Sequence, residues 1–319
     1  MRFYIHKIGI LTNDSKNRLE MQLQQTVRKD YSFEGKGLHT GKVAHMTIKP
    51  APADTGIRFR RIDLGEDAYV DALAENVSNT ARSTTISNGE ASVSTIEHVL
   101  SALTGMGVDN ALIDIDNVEV PILDGSAKPY IDQIWADGFD TQDAPRKYIE
   151  IKETLRVENE KGSLLIIEPA EDFSYNIKID FNSKVLGVQN ACWDKDVVYP
   201  EEIGTCRTFV FFHELEFLFN NGLVKGGDVD NAIVIVEHPV TPEQVSRLSD
   251  LFGIQALEVS ENGYLNNLQL RFTNECARHK LLDLIGDLRL AGGFLKAKIT
   301  AEKAGHGINT TAAKQIRGI

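Results

Sequence analysis

Cysteine is scarce in this chain of 319 residues, which has only three, at positions 192, 206 and 276. Their number is odd, their spacing is wide and no two form a C-x-x-C pair. This pattern excludes a dense disulfide framework and argues against a zinc site made of cysteines. A reducing compartment is therefore expected, and any metal would have to be bound by histidine and carboxylate side chains.

The sequence also lacks an apolar run of the ~18 residues that a membrane-spanning helix needs. The first residues are interrupted by His6 and Lys7 and contain no small-residue cleavage site, so they make a poor signal peptide. Regular patterning starts only at Met21, which predicts that residues 1–20 are an N-terminal extension. Together these features predict a cytoplasmic protein without a membrane span.

Positive charge is limited, because 34 Lys and Arg residues stand against 46 Asp and Glu residues, for a net charge of −12. A general nucleic-acid binder needs clustered basic residues to neutralise phosphates, so this class is excluded. A few converging lysines would still be enough to bind one small diphosphate. The length allows one large domain or two of medium size.

The order of apolar runs and turns predicts an α+β fold with two similar domains, each a β-sheet packed with helices. Short strand-like runs precede a helix that contains His98 in one half and a helix that contains His279 in the other. The polar stretch 138–146 is interpreted as the linker. We therefore predict a first domain over residues 21–140 and a second over residues 141–319.

Local signals predict where several elements lie. Asn88-Gly89 predicts a hairpin between two strands. Ser94 or Thr95 is expected to cap a helix that runs to Gly105. A second long helix is expected over about 273–290, from its apolar period.

His279, Asp283 and Asp287 recur every four residues, so a helix places them on one stripe. A histidine and a carboxylate one turn apart can bind one metal ion, which leaves the next carboxylate to orient a partner. The same spacing is also typical of an ordinary solvated helix face. Both interpretations stay open on the stripe alone.

Glu97-His98 places a carboxylate beside a potential metal ligand in the first-half helix. A hydrolytic zinc site needs three protein ligands, an open position for water and a base near that water. His98 with His279 and Asp283 would supply the ligands, and Glu97 would be the base. Taken alone, a Glu-His pair on a helix is more often an ordinary surface or core pair.

Each of three further motifs is weaker evidence for a functional role when it is taken alone. In Gly305-His306-Gly307, the flanking glycines would allow a sharp turn that exposes the imidazole, which would suit general acid catalysis. The alternative interpretation is a capped turn before a helix. His39 also lies near glycines, in the segment 37–41, without metal-ligand spacing. Thr208 and Gly226 bracket a Phe-rich segment, which would contact an acyl chain beside an oxyanion donor or form plain core.

Together these segments resemble one family, the zinc-dependent UDP-3-O-acyl-N-acetylglucosamine deacetylases of lipid A biosynthesis. The resemblance covers about residues 22–318. The ordered matches are Gly37-Leu38-His39-Thr40-Gly41, Pro50–Gly56, Ser94–Leu103, Pro121–Ser126, Arg207-Thr208-Phe209, Gly226-Gly227, Asp230-Asn231-Ala232, the run from His279 to Asp287, and Gly305-His306.

The resemblance implies a function and a role for each matching residue. The function would be hydrolysis of the N-acetyl group of UDP-3-O-(3-hydroxyacyl)-N-acetylglucosamine, the committed step of lipid A biosynthesis in Gram-negative bacteria. Zinc would be bound by His98, His279 and Asp283. The catalytic residues would be Glu97 as base, Thr208 at the oxyanion, and His306 as acid, oriented by Asp287. Substrate binding would involve Lys280 and Lys303 at the diphosphate, Phe209 and Glu216 near the nucleotide, and Gly226 and His39.

The resemblance also implies that the helices are sandwiched between the two sheets, with the active site at the domain junction. Residues of about 209–224 would form the passage for the acyl chain. Some relatives continue into a fused hydroxyacyl dehydratase domain, so such a partner is a further expectation.

Two other classes of protein remain as alternatives. A zinc peptidase would use the same metal, base and acid, but it usually carries H-E-x-x-H on one helix, and this sequence has no such motif. A non-catalytic module that binds a nucleotide sugar would have no reason to retain Glu97 and His306 together with three metal ligands.

Overall fold

The computed structural model describes residues 22–215, 225–227, 231–252 and 257–318. The expected extension at residues 1–20 lies outside the described residues, and so does Glu216. Of the predicted acyl passage at 209–224, the part from 216 to 224 also lies outside them.

The first half contains ten strands and two helices among its described residues. They are β1 (Leu23–Val27), β2 (Tyr31–Lys36), β3 (Val43–Pro50), β4 (Ile57–Arg61), β5 (Tyr69–Asp71), β6 (Val77–Asn79), β7 (Thr85–Asn88), β8 (Ala91–Ser94), α1 (Glu97–Gly105), β9 (Ala111–Ile115), α2 (Lys128–Ile134) and β10 (Phe139–Pro145).

The second half, over its described residues, has the following elements: β11 (Tyr148–Glu150), β12 (Leu155–Glu158), β13 (Leu164–Pro169), β14 (Ser174–Asp180), β15 (Val188–Asp194), α3 (Tyr199–Glu202), β16 (Phe209–Phe211), β17 (Ile233–Ile235), α4 (Pro242–Phe252), α5 (Glu275–Leu288), β18 (Phe294–Glu302) and α6 (His306–Arg317). None of the helices in the described part of the chain is both long and apolar enough to cross a membrane.

The two halves repeat one topology, which confirms the α+β prediction of two similar layers. The first main sheet has the order β2-β3-β9-β4-β5, and the second has the order β12-β13-β18-β14-β15. In each, the third strand pairs antiparallel on one side and parallel on the other. In each, that strand is preceded by a buried helix, α1 or α5, and followed by a further helix, α2 or α6.

Helices α1 and α5 pack against each other, and α5 also contacts β14 and β15. Every residue of α1 from Glu97 to Thr104 is buried, so this helix has no solvated face. Gly286 permits the contact, because a Cβ atom there would lie 2.1 Å from the backbone oxygen of Glu97. Glycine is thus required at this position by packing. The long polar stripe of α5 faces α1 and not solvent.

The hairpin prediction is confirmed, with a small shift of its turn. Asn88 pairs with Ala91, so the two-residue turn is Gly89-Glu90. Gly89 has φ +56°, a conformation that glycine adopts without the steric cost of a Cβ.

The predicted cap of α1 by Ser94 or Thr95 is wrong. The N-cap residue is Ile96, without a side-chain hydrogen bond to the helix. The Thr95 hydroxyl donates to Glu119 and the Ser94 hydroxyl to the backbone oxygen of Val118. Both hydroxyls are used by the segment that follows β9, which sequence patterning around the helix did not reveal.

The polar stretch predicted as the linker contains a regular strand. β10 pairs antiparallel with β1, and Gln142 donates to the backbone oxygen of Ala51. Its polar composition reflects a strand without a buried residue, paired with the largely buried β1, and not an unstructured connection. The domain boundary itself stays a prediction.

Candidate active site

Three side chains from the two packed helices meet at one point. His98 projects from the first turn of α1, and His279 and Asp283 from successive turns of α5. One ligand atom of each lies within 4.8 Å of the other two. The Nε2 atoms of His98 and His279 are 3.6 Å and 3.5 Å from Asp283 Oδ1. The predicted metal-ligand set is therefore brought together across the two halves of the chain.

Hydrogen bonding and burial prepare His279 to bind a cation. Its Nδ1 atom lies 3.0 Å from the backbone oxygen of Cys206, a geometry in which Nδ1 donates and Nε2 keeps its lone pair. Burial lowers the pKa of His279 to about 3, with Asp283 opposing the shift. The ring is thus neutral at physiological pH, as a metal ligand must be.

Asp283 has one oxygen that protein donors satisfy and one that they do not. Lys280 Nζ donates to Oδ2 over 2.7 Å. Oδ1 is buried and has no hydrogen-bond partner among the described residues. Although burial opposes it, the Lys280 ammonium helps hold the pKa of Asp283 well below its usual value. An unsatisfied anionic oxygen facing two imidazole nitrogens fits a divalent metal with nitrogen and oxygen ligands.

Glu97 lies directly before His98, a predicted metal ligand, and is almost completely buried. Its Oε2 accepts from the backbone N–H of Thr84 over 3.0 Å, and its Oε1 is 3.9 Å from His306 Nε2. Burial raises the pKa of Glu97, while His306 and His98 oppose this. A carboxylate with a raised pKa beside a metal-ligand cluster suits a general base.

His306 opens α6 and forms a buried pair with Asp287. Its Nδ1 is 2.9 Å from Asp287 Oδ2, which also accepts from Asn309. The other oxygen of Asp287 accepts from the Thr84 hydroxyl over 2.5 Å. Burial works against protonation, but the carboxylates of Asp287 and Glu97 outweigh it and raise the pKa of His306 to about 9. This imidazole therefore carries a proton at neutral pH.

The structure bears out the capped turn before a helix that was one interpretation of Gly305-His306-Gly307, and the expected exposure of the imidazole by a sharp turn is wrong. Gly305 is extended, with φ −161°, and serves as the N-cap of α6. The imidazole is not displayed to solvent, because His306 is only 9% exposed. The helix start, and not glycine flexibility, directs the side chain towards Glu97.

Thr208 and Phe209 lie beside α5 at the start of β16. The Phe209 ring is 6.5 Å from the His279 ring, and Lys280 Nζ lies 5.7 Å from its centre. The Thr208 backbone N–H donates to the backbone oxygen of Gly125 over 2.9 Å. The structure thus places this segment next to the metal-ligand cluster, where the oxyanion role of Thr208 stays a prediction.

Sequence reasoning missed a buried ion pair that holds this segment. Glu275, in the first turn of α5, accepts from the backbone N–H and the side chain of Arg207 at 3.1 Å and 2.9 Å. Glu275 and His279 therefore bind consecutive residues of one strand-like segment, Cys206 and Arg207. Their four-residue spacing was a usable signal, but its partner is about 70 residues away.

Each of the two lysines expected at the diphosphate lies near an aromatic cluster, Lys280 beside Phe209 and Lys303 paired with the residue before Phe181. Lys303, which is half-exposed, pairs with Asp180 at 3.1 Å. The neighbouring Phe181 is 5.5 Å and 5.7 Å from the rings of Phe209 and Phe211. Asp180 and Phe181 were not singled out in the sequence, because they end β14 without a recognisable motif.

His39 and Gly226 meet where two loops join the halves of the chain. The backbone N–H groups of Lys225 and Gly226 donate to the backbone oxygens of His39 and Leu38. A Cβ at Gly226 would lie 2.1 Å from the backbone oxygen of Gly37, so only glycine fits. Burial lowers the pKa of His39. Their roles in substrate binding stay predictions.

Comparison with known proteins agrees with this geometry. The sequence profile of the family described as UDP-3-O-acyl N-acetylglycosamine deacetylase matches residues 24–252 and 254–317. The chain is 45% identical over 298 residues to the bifunctional enzyme LpxC/FabZ of Porphyromonas gingivalis. The aligned region covers 93% of this chain and 64% of that protein.

A second relative is named for a single activity. The chain is 38% identical over 296 residues to UDP-3-O-acyl-N-acetylglucosamine deacetylase of Teredinibacter turnerae, covering 92% of this chain and 89% of that protein. The chain thus spans about two thirds of the bifunctional relatives and nearly all of the deacetylase.

Proposed function

Because this chain belongs to the UDP-3-O-acyl N-acetylglycosamine deacetylase family, we propose that it hydrolyses the N-acetyl group of UDP-3-O-(3-hydroxyacyl)-N-acetylglucosamine. The products are acetate and UDP-3-O-acyl-glucosamine, and the step belongs to lipid A biosynthesis. The observation that carries the proposal is the cluster of His98, His279 and Asp283, with its unsatisfied carboxylate oxygen, beside Glu97 and His306.

The proposed metal is zinc, held by His98, His279 and Asp283. When bound, zinc supplies Lewis acidity, which makes water acidic near neutral pH and polarises a carbonyl. Two imidazoles and one carboxylate are the ligand types that hydrolytic zinc sites use, with a further position left open.

Glu97 and His306 divide the proton transfers between them. Glu97 takes a proton from the water that attacks the amide carbon, since its raised pKa suits a base. His306 gives its Nε2 proton to the departing nitrogen as the C–N bond breaks. Asp287 keeps His306 protonated and oriented through the 2.9 Å bond to Nδ1. Thr208 stabilises negative charge on the carbonyl oxygen through its hydroxyl.

Lys280 and Lys303 bind the diphosphate, and Phe209 contributes to the nucleotide end. The apolar rings of Phe181, Phe209 and Phe211 support an apolar surface beside the two lysines. The acyl chain is proposed to follow the segment that starts at Phe209. A fused hydroxyacyl dehydratase domain is also proposed for the whole protein, supported by the names of the bifunctional relatives.

The proposal is tested with purified protein, zinc and UDP-3-O-acyl-N-acetylglucosamine substrates of several acyl lengths. Acetate release is expected, to be lost after removal of zinc by a chelator and restored when zinc is added back. Glu97→Ala is the matched control for contaminating activity. Turnover of peptides without turnover of the sugar nucleotide would contradict the proposal and favour a zinc peptidase. Sugar-nucleotide binding without zinc in gently purified protein would favour a binding module.

A further inference from the structure

Glu119 is a buried carboxylate in the first half that the catalytic assignment does not use. It lies between β9 and α2 and is only 1% exposed. Its two oxygens accept four hydrogen bonds, from the His39 N–H (2.9 Å), the Thr40 N–H (2.8 Å), the Thr40 hydroxyl (2.7 Å) and the Thr95 hydroxyl (3.0 Å). We propose that Glu119 is a positioning residue that fixes where α1 starts, and so fixes Glu97 and His98.

This inference rests on the proposed deacetylation, because it assigns a task within the same site. The first step concerns Thr95, which has φ +59°. A β-branched residue rarely adopts this left-handed conformation, which persists only where surrounding contacts hold it. The Thr95 hydroxyl donates to Glu119, while backbone hydrogen bonds of Ser94 and Ile96 hold the residues on either side. Loss of the bond to Glu119 removes the side-chain contact that favours this conformation.

The position of Thr95 links its backbone to the chemistry. Ile96 follows as the N-cap of α1, and Glu97 and His98 are the first two residues of that helix. A rotation of the backbone at Thr95 would therefore change the direction in which both side chains leave the helix start. A displacement of about 1 Å at a catalytic group can cost about 10²-fold in rate.

The second step concerns the loop that His39 and Thr40 form. Glu119 binds both of their backbone N–H groups, and a Cβ at Gly37 would lie only 2.4 Å from its Oε2. The same loop accepts hydrogen bonds from Lys225 and Gly226 of the second half. One carboxylate thus connects the start of α1 with the junction between the two halves.

The chemistry of Glu119 suits this task. An ionised carboxylate only accepts hydrogen bonds, and here all four partners are neutral donors. No ion pair of Glu119 is found among the residues that the structure describes. A glutamine of the same shape would turn its –NH₂ group towards one of the two backbone N–H groups, which can only donate, so at least that bond would be lost.

The first experiment compares Glu119→Gln with Glu66→Gln, a matched change in an exposed loop residue. For Glu119→Gln, we expect kcat to fall about 10- to 100-fold and zinc to be released faster. Amide hydrogen exchange at His39 and Thr40 should become at least about tenfold faster. Glu66→Gln should match the wild type. Unchanged kcat in a folded Glu119→Gln variant would overturn the proposal.

The second experiment uses Thr95 to separate positioning from simple packing loss. Thr95→Val keeps the shape but loses the hydroxyl, so it should lower kcat about as much as Glu119→Gln. Thr95→Gly removes more atoms but adopts φ +59° without strain, so it should lose less activity than Thr95→Val. Adding Thr95→Gly to Glu119→Gln should restore part of the lost kcat. Greater damage from Gly than from Val would overturn the proposal.

The readouts distinguish this inference from the proposed function. If the wild-type chain does not deacetylate the sugar nucleotide, the proposed function fails. Amide exchange at residues 39, 40 and 96–98, together with the rate of zinc release, still reports on Glu119. Unchanged exchange and zinc release in Glu119→Gln would then overturn the positioning role, and faster exchange and release would support it.

Discussion

Two histidine–aspartate pairs, whose aspartates lie one turn apart on α5, differ in the protonation of their histidines. In the first, burial lowers the pKa of His279 to about 3 beside Asp283. In the second, the pKa of His306 rises to about 9 beside Asp287, although this ring is buried too. The two pairs therefore share residue types and burial, but the pKa of one histidine is lowered and that of the other is raised.

The neighbouring charges account for most of the difference in pKa, because Asp287 and Glu97 both raise the pKa of His306, whereas His98 and Lys280 work against Asp283 beside His279. Asp287 bonds directly to His306 Nδ1 at 2.9 Å, and Glu97 adds a second carboxylate at 3.9 Å from Nε2. His279 instead donates to a neutral backbone oxygen, and Asp283 lies 3.5 Å away with its charge shared with Lys280. Two carboxylates, one of them hydrogen-bonded to the ring, keep His306 protonated, whereas the cationic neighbours of His279 offset its single carboxylate and leave the ring neutral.

The largest effect is expected from a substitution that removes the aspartate of the first pair. Asp283→Ala should lose the metal, because two imidazoles alone hold zinc weakly, and activity should fall by at least about 10³-fold. Metal content per chain, measured by elemental analysis, checks this. Asp287→Ala is the matched control and should keep its metal. Unchanged zinc in Asp283→Ala would contradict the ligand assignment.

The next largest effect is expected from substitutions that remove the proposed proton-transfer groups and keep the proposed metal ligands. Glu97→Ala and His306→Ala should each lower kcat about 10²- to 10⁴-fold with zinc retained. Steady-state kinetics and metal analysis on the same preparations check both statements. Loss of zinc from His306→Ala would mean that the second pair also supports the metal.

A smaller effect is expected from a substitution that lowers the pKa of His306, as the pKa of His279 is lowered in the first pair. Asp287→Asn removes the charge that raises the pKa of His306, so the alkaline limb of kcat/KM should move to lower pH by about 1–2 units. In the wild type, activity should fall as the pH rises through about 9. An alkaline limb that does not move would show that another group is the acid.

The pKa of His306 beside Asp287 also predicts how the free energy of unfolding depends on pH. The folded protein binds the His306 proton more tightly than the unfolded chain does, whose pKa is near 6.5. The stabilisation is therefore complete below about pH 6.5 and is lost as the pH rises through about 9. Denaturant unfolding of wild type and Asp287→Asn across this range checks the sign.

The smallest expected effect lies outside both pairs. Lys303→Met removes a half-exposed ammonium that pairs with Asp180. The KM for the sugar nucleotide should rise about tenfold, while metal content and the alkaline limb stay unchanged. An unchanged KM would remove Lys303 from the proposed diphosphate contacts.

Helical periodicity alone put His279, Asp283 and Asp287 on one face, because a local repeat needs no knowledge of the rest of the fold. The repeated order of strands and helices likewise predicted two similar layers. That His98 meets this face, about 180 residues away in the chain, came from the family resemblance. A single sequence carries no local signal for a pairing of that kind.

Contacts between distant segments account for the other differences. Sequence patterning treated Thr95 as a helix cap, and the structure uses its hydroxyl on Glu119 instead. The burial of the α5 stripe depends on the close approach at Gly286, which no periodicity reveals. Glu216 and residues 1–20 lie outside the described chain, so those predictions stand as made.

The division of the proposed metal ligands between α1 and α5 would make the site a cross-link as well as the proposed catalytic centre. An ion bound by both helices favours the docked halves over any state in which they separate. At a free concentration of 1,000 times its dissociation constant, such a ligand adds about 4 kcal/mol to folding stability. Metal availability would then govern how long the chain survives, and not only how fast it turns over.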